Sequence, residues 1–260
     1  MIIRPRVIPV LLIENQLLVK TIKFENPTYL GDPINAMRIF NEKAVDELCV
    51  LDISAAKERR APDIDFLKQM ATEAFMPLSY GGGIKTFEEA KRILHLGFEK
   101  LVFNSAFIQN QSLIKEIVSY AGGQSVVASI DYKKNMFGKQ NCYIEGGKTK
   151  VNQTPHTLSR MAQELGMGEI LLNCIDRDGM MNGYDIKTIE EIASSISIPL
   201  IACGGANNIH DLKQALTEGK ADAVAAGSMF VYYGKKKAVL ISTPTEEEYF
   251  KEGIYYENRI

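Results

Sequence analysis

The chain of 260 residues is 46% hydrophobic and 24% charged, and its 30 Lys and Arg nearly balance its 32 Asp and Glu, for a formal net charge of −2. These proportions are typical of a globular protein, and without a Lys/Arg-rich run or a basic amphipathic stretch they argue against nucleic acid or a membrane as a partner. The start of the chain lacks the apolar core of a signal peptide, so we expect a cytoplasmic protein.

Short apolar runs alternate along the chain with longer segments of helical period. The runs predict eight strands, over Val7–Ile13, Glu47–Ile53, Met76–Tyr80, Lys100–Asn104, Ser125–Asp131, Glu169–Ile175, Ile198–Cys203 and Asp222–Ala226. The amphipathic segments predict helices over Pro33–Lys43, Ile64–Ala74, Thr86–Leu96, Gln111–Ala121, Thr157–Leu165, Ile186–Ser194 and Ile209–Glu218. Eight such units in one chain of this length predict an α/β protein, a single (β/α)8 TIM barrel. An open doubly wound sheet is the alternative, but no Gly-x-Gly-x-x-Gly turn follows the first strand.

The two halves of the chain match each other. Met76-Pro77-Leu78 matches Ile198-Pro199-Leu200, and Gly82-Gly83 matches Gly204-Gly205 at the same offset. The repeat predicts two half-barrels, about 1–122 and 123–235, within one domain of residues 1–260 that ends in a divergent tail over 233–260. We also expect a hairpin around Gln16–Lys20 and a smaller hairpin within Asn135–Val151, with Gly146-Gly147 as its turn.

Glycines and small polar residues at four predicted strand ends indicate two phosphate cradles. The first cradle comprises Gly82, Gly83, Asn104 and Ser105, and the second comprises Gly179, Gly204, Gly205, Gly227 and Ser228. Backbone N–H groups approach an anion closely where no side chain intervenes, so we expect a phosphorylated small-molecule ligand. Tight strand-to-helix turns are the alternative explanation of the glycines, but their paired occurrence favours phosphate.

Ionisable residues lie at the same strand ends, which form the mouth of the barrel, the face where barrel enzymes carry their chemistry. Asp131 ends the fifth predicted strand and is a candidate for acid/base catalysis, or else a carboxylate satisfied by a nearby lysine or by backbone amides. Lys20, Asp52, Asp176 and Asp178 are further mouth residues. The four cysteines and three histidines show no metal-ligand spacing, so we expect no metal or other cofactor.

Four charged residues lie at the opposite end of the predicted barrel, at or just before strand starts. These residues are Arg6, Glu47, Lys100 and Glu169, and together they define a charged ring. By spacing alone, a ring of ion pairs that plugs the barrel is the simpler interpretation.

Several motifs within about residues 1–230 follow the pattern of one family. They are Arg6-Val7-Ile8-Pro9, Phe24-Glu25-Asn26, Gly31-Asp32-Pro33, Asp46-Glu47-Leu48, Leu51-Asp52-Ile53, Gly81-Gly82-Gly83-Ile84, Ile130-Asp131 and Ile175-Asp176-Arg177-Asp178-Gly179. These motifs resemble the HisF family, the cyclase subunit of imidazole glycerol phosphate synthase. The resemblance implies that a HisH-like glutaminase docks on the charged ring and that ammonia passes through this gate and the barrel. It also implies catalysis by Asp131 and an acidic docking role for Glu99.

The chain departs from the family pattern at two places. Leu12 stands where the family has its second catalytic aspartate, and Tyr233–Ile241 replaces the usual closing helix. In this the chain resembles the WbuZ-type paralogues, which implies impaired cyclisation and ammonia delivery to a separate sugar amidotransferase that amidinates a surface-glycan sugar. The alternatives are a cyclase subunit in histidine biosynthesis and a non-catalytic adaptor of a sugar-modifying complex.

Overall fold

A computed structural model describes residues 2–58, 60–234 and 236–257, so Lys235 and the last three residues of the predicted tail lie outside the described residues. The strands are β1 Ile2–Ile3, β2 Arg6–Glu14, β3 Leu17–Ile22, β4 Glu25–Gly31, β5 Leu48–Asp52, β6 Leu78–Gly81, β7 Lys100–Phe103, β8 Val126–Lys134, β9 Gln140–Ile144, β10 Thr149–Lys150, β11 Glu169–Cys174, β12 Leu200–Cys203, β13 Ala223–Ala226, β14 Tyr232–Tyr233, β15 Ala238–Val239 and β16 Tyr256–Glu257. The helices are α1 Pro33–Glu42, α2 Ile53–Glu58, α3 Ile64–Glu73, α4 Phe87–His95, α5 Ser105–Gln109, α6 Gln111–Ala121, α7 Pro155–Glu164, α8 Ile186–Ala193, α9 Ile209–Thr217, α10 Ser228–Val231 and α11 Glu246–Glu252, with a 3₁₀ turn at Gly123–Ser125.

Eight parallel strands close into a barrel in the order β2-β5-β6-β7-β8-β11-β12-β13, and β13 pairs back onto β2. The predicted (β/α)8 barrel is therefore confirmed. Capping residues begin several of the predicted helices: the Asp32 side chain accepts from the Asn35 N–H, and Thr86 and Glu89 form a capping box. These caps place the first helical residue one position after Asp32 and Thr86.

Strand pleating aligns side chains from one end of the barrel to the other. Along β2, the residues Arg6, Ile8, Val10 and Leu12 alternate with residues that face the helices, so they share the inward face. The same alternation places Glu47, Cys49 and Leu51 inward from the β5 side, and Glu169, Leu171 and Asn173 inward from β11. The interior thus runs from charges at the strand starts, through a buried apolar layer, to the mouth.

The connection after β8 differs from the single hairpin expected within Asn135–Val151. Strand β8 continues to Lys134 and turns at 135–139 into β9, and a second turn through Gly146-Gly147 leads to β10. The first turn forms because the Asn135 side chain accepts from the N–H groups of Phe137 and Lys139. Two successive antiparallel pairings therefore replace the one that was predicted.

The tail after β13 wraps back to the end of the barrel where the strands start. Strand β16 pairs antiparallel with β1, and the Arg4 guanidinium lies over the rings of Phe250 and Tyr255 at 5.7 and 5.3 Å. The Tyr255 hydroxyl donates to Asp46 at 3.0 Å. These contacts place the tail beside the charged ring. No described helix is both long and apolar enough to cross a bilayer.

Candidate functional site

A cavity of about 850 Å³ occupies the mouth of the barrel. Its lining includes Leu12, Lys20, Asp52, Gly82, Gly83, Asn104, Ser105, Asp131, Asp178, Gly179, Gly204, Gly205, Gly227 and Ser228. The structure therefore brings every predicted phosphate-cradle residue together with Asp131 in one cavity. Asp176 does not line it, because its carboxylate accepts from the Lys134 backbone N–H at 2.7 Å. Asp52 is held at the cavity wall by Arg60, Ser54 and the Ala55 N–H.

The first cradle lies after β6 and β7. Gly82 has φ +135°, and a Cβ there would lie 2.5 Å from the Asp52 carbonyl oxygen, so only glycine fits this turn. The Asn104 amide donates to the Ser129 carbonyl at 3.1 Å and to the Asp131 carboxylate at 3.3 Å. Asn104 is therefore positioned to hold Asp131 as well as to line the cradle, a contact that sequence reasoning missed.

The second cradle lies on the half of the barrel formed by β11, β12 and β13. A Cβ at Gly205, which has φ +116°, would lie 2.2 Å from the Gly183 carbonyl oxygen. The Ser228 hydroxyl is buried and has no hydrogen-bond partner among the described residues. The two cradles line the same cavity, which gives one ligand access to both.

Asp131 is a buried carboxyl of the mouth. Burial and the neighbouring negative charge of Asp178 raise its pKa to about 7, although hydrogen bonds from Asn173 and Ser129 act in the opposite direction. A carboxyl with a pKa near neutrality exchanges a proton readily at physiological pH, as general acid–base catalysis requires. Asn173 was not among the predicted site residues; its signal in the sequence is a polar residue at the inward end of an otherwise apolar strand.

Lys20 is buried and committed to one ion pair. Its ammonium donates to both Asp178 oxygens at 3.0 and 3.1 Å and to the Thr21 carbonyl at 2.9 Å. Leu12 lies on β2, which is four strands from β8 in either direction around the barrel, so it faces Asp131 across the mouth. Val10, Leu12 and Leu51 form an apolar part of the cavity lining. A leucine at position 12 can neither donate nor accept a proton.

The charged ring closes the opposite end of the barrel. Arg6 pairs with Glu47 at 2.5 Å and with Glu169 at 2.6 Å, and Lys100 pairs with the same two carboxylates at 2.8 and 3.0 Å. The charges alternate in sign, and the Glu47 side chain is only 4% exposed. Glu99, next to Lys100, is exposed to solvent.

Asp131→Asn is expected to change the pH dependence of folding stability. Because the pKa of Asp131 is raised from 3.8 to about 7 in the folded chain, the native state keeps a proton that the unfolded chain has lost. Stability from this proton is complete below about pH 4 and disappears as pH rises through about 7, a loss of up to about 4 kcal/mol. Urea unfolding at pH 5 and pH 8 should show a smaller loss of stability for Asp131→Asn than for wild type. Equal losses in both proteins would contradict this expectation.

Comparison with known proteins assigns the family. The model of the family described as histidine biosynthesis protein matches residues 6–237. The chain is 48% identical to a Leptospira interrogans protein, over 98% of this chain and 100% of the relative, whose provisional name is imidazole glycerol phosphate synthase subunit HisF. It is 49% identical to a protein of Pseudomonas aeruginosa provisionally named subunit hisF2, over 93% of this chain and 96% of the relative. It is 37% identical to the imidazole glycerol phosphate synthase subunit HisF of Alkaliphilus metalliredigens, over 88% of this chain and 91% of the relative. The chain therefore belongs to the histidine biosynthesis protein family, as a HisF homologue.

Proposed function

We propose that this chain is the ammonia-using subunit of a glutamine amidotransferase, with a HisH-like glutaminase bound at the charged ring and the chemistry at the mouth. One observation carries the proposal: the inward faces of the strands connect a closed ring of ion pairs to a cavity with two cradles and a buried acid. Exposed Glu99, beside Lys100, is the proposed docking carboxylate for the glutaminase.

The barrel interior supports the passage of ammonia. Directly above the ring lies a small cavity of about 10 Å³, lined by Glu47, Ile8, Cys49, Ser79 and their neighbours. This is about the space that one water-sized molecule needs, and ammonia is of similar size. The layer above it is apolar, and such surroundings favour neutral ammonia over the ammonium ion.

The mouth supports a substrate that carries two phosphates, one for each cradle. The imidazole glycerol phosphate synthase reaction of histidine biosynthesis is the activity that the names of the relatives support. In that reaction Asp131 would transfer protons as ammonia is incorporated and the imidazole ring closes. Lys20, tied to Asp178, would add positive charge beside the substrate.

Leu12 favours a second candidate function, ammonia delivery for the amidination of a surface-glycan sugar by a separate amidotransferase. Imidazole formation moves protons at more than one atom, and Leu12 and its neighbours Val10 and Leu51 carry no ionisable group. The ionisable residues on this side of the mouth, Glu14 and Lys20, are already paired with Lys57 and Asp178. If a separate amidotransferase carries out the amidination, this chain would need the charged ring and the barrel interior to pass ammonia, but it would not need a second carboxylate in the mouth. A non-catalytic adaptor would bind the glutaminase without increasing its activity.

Lys100→Met is expected to uncouple glutamine from product. Lys100 holds Glu47 and Glu169 together, and without it two carboxylates share Arg6 alone, so the ring opens to water and ammonia escapes. In the complex with the glutaminase, glutamine-dependent product formation should fall about tenfold relative to formation from added ammonia, whereas Lys100→Arg should keep most of the coupling.

The assay uses the ribulosyl aminoimidazole nucleotide as substrate and measures glutamine hydrolysis in parallel. If Lys100→Met reduces product formation from glutamine and product formation from added ammonia equally, the ring is not part of the ammonia path and the proposal is wrong. Binding of the glutaminase without any stimulation of glutamine hydrolysis would support the adaptor instead.

A further inference from the structure

Asn173 contains the one buried amide oxygen without a hydrogen-bond partner among the described residues. This atom is Oδ1, while the other end of the same amide interacts with Asp131, its register neighbour on β8, and lowers the pKa of that carboxyl. An unpaired buried carbonyl costs about 1–3 kcal/mol, so its presence at the inward end of β11 calls for an explanation.

Strand register places this amide between the acid and the second cradle. Asn173 lies opposite Asp131 on β8 and opposite Cys203 on β12. Its Oδ1 faces Gly204, where an added Cβ would lie 2.6 Å away. Rotation of the amide by half a turn would exchange its two ends and bring Oδ1 to Asp131. An oxygen there is favourable only when Asp131 carries a proton that it can donate.

Asn104, the other amide that contacts Asp131, cannot rotate in this way without loss. Its Nδ2 donates to the Ser129 and Tyr143 carbonyls as well as to Asp131, and its Oδ1 accepts from the Ser105 hydroxyl. Rotation would break these bonds, whereas Asn173 has only its interaction with Asp131 to exchange. The two amides therefore differ in what their hydrogen bonds allow.

We propose that Asn173 is a positioning residue that serves Asp131 in both protonation states: its NH2 donates to the carboxylate, and after rotation its carbonyl accepts from the carboxylic acid. The inference rests on the proposed use of ammonia at the mouth. As the nitrogen of ammonia bonds to a substrate carbonyl carbon, the π electrons of the carbonyl move to its oxygen, and Asp131 carries one proton from the nitrogen to that oxygen, which becomes a hydroxyl. A second proton carried from the nitrogen in the same way lets the C–O bond break, so that the oxygen leaves as water and a C=N bond remains. With Leu12 in place of a second acid, one carboxyl performs these transfers.

Several other groups surround Asp131, and none replaces this role. They are Asp178 with its partner Lys20, Ser129 and Asn104, Cys142 and Tyr143 on β9, and Cys203 on β12. Asp178 acts only through its charge, which raises the pKa of Asp131, and Lys20 is held by Asp178. Burial raises the pKa of Cys142 and of Cys203, so both remain neutral thiols.

A carbon-13 NMR titration of Asp131 in the purified chain without substrate tests the inference. The Asp131 signal is identified by its loss in Asp131→Asn. Asn173→Leu removes the donor to the carboxylate and should raise the midpoint of the titration by about one pH unit or more. Asn173→Thr supplies a hydroxyl that both donates and accepts, and its midpoint should stay near that of wild type. Equal midpoints for leucine and wild type, or an equal shift for threonine and leucine, would overturn the inference.

A second measurement needs no leucine variant. In the wild-type chain, the side-chain NH2 signal of Asn173, identified by its loss in Asn173→Thr, should titrate with the midpoint of Asp131 and stop titrating in Asp131→Asn. A signal that is independent of pH would equally overturn the inference. Neither measurement depends on turnover, so failure of the proposed function would appear separately, as absence of product from either nitrogen source.

Discussion

Replacing Leu12 with aspartate is expected to increase ammonia-dependent imidazole formation by about 10²–10⁴-fold, the usual contribution of a general acid or base. The new carboxyl would lie at the inward, mouth end of β2, across the cavity from Asp131. Substrate held between the two cradles would then have an acid or base on either side. The measurement is single-turnover and steady-state formation of the ring product from the ribulosyl aminoimidazole nucleotide and ammonium salt.

Leu12→Asn is the matched control, because it has the shape of aspartate but cannot transfer a proton at neutral pH. It should leave turnover at the wild-type rate. The double variant Leu12→Asp/Asp131→Asn should lose the gain, which would show that the two carboxyls act together. Fast wild-type turnover without any gain from Leu12→Asp would contradict this expectation. It would make Leu12 a tolerated change in an enzyme of histidine biosynthesis and remove the support for sugar amidination.

Gly205→Ala is expected to destabilise the fold and disrupt the second cradle together. The methyl group would lie 2.2 Å from the Gly183 carbonyl oxygen and 3.1 Å from the Arg177 Cβ, so the backbone must shift. Overpacking of this kind costs about 1–3 kcal/mol, in addition to about 1–2 kcal/mol for forcing alanine into a positive φ. Because this backbone shift displaces the cradle, binding of inorganic phosphate there should fall at least about tenfold, which corresponds to a loss of about 1.4 kcal/mol of binding free energy.

Gly97→Ala separates the cost of overpacking from the cost of holding alanine at a positive φ. Gly97 also has a positive φ, +102°, but an added Cβ there meets nothing within 4 Å. It should therefore show only the cost of the backbone conformation and should leave phosphate binding unchanged. Urea unfolding gives the stability of both variants, and calorimetric titration gives the binding. If Gly205→Ala were no less stable than Gly97→Ala, the close approach of the Gly183 carbonyl would not constrain this turn.

Local patterns in the sequence were sufficient to predict the barrel. Glu169–Ile175 was predicted as a strand and the structure has Glu169–Cys174, because an apolar run between turn residues has few other ways to be buried. Helices are also legible from local signals, since caps such as Asp32 and Thr86 bond to N–H groups three residues away. The half-barrel match likewise predicted that the two sets of glycines would lie at equivalent strand ends.

The contacts that define the candidate site were decided by the tertiary structure. The Lys20–Asp178 pair joins residues 158 positions apart, and the ring joins strand starts from four places in the chain. The hydrogen bond from Asn104 to Asp131 and the effect of Asn173 on the same carboxyl arise because β7, β8 and β11 are neighbours in the closed barrel. The docking of the tail depends in the same way on a distant strand, because β16 pairs with β1.

The chain by itself therefore determined which segments become strands and helices and which residues stand at their ends, since period and capping act over a few residues. It did not determine which side chains meet inside the barrel. That depends on closure, which turns alternate residues of eight strands toward one axis and removes them from water. The same burial, together with Asp178, raises the pKa of Asp131 to about 7, a property of its surroundings that no local pattern in the sequence records.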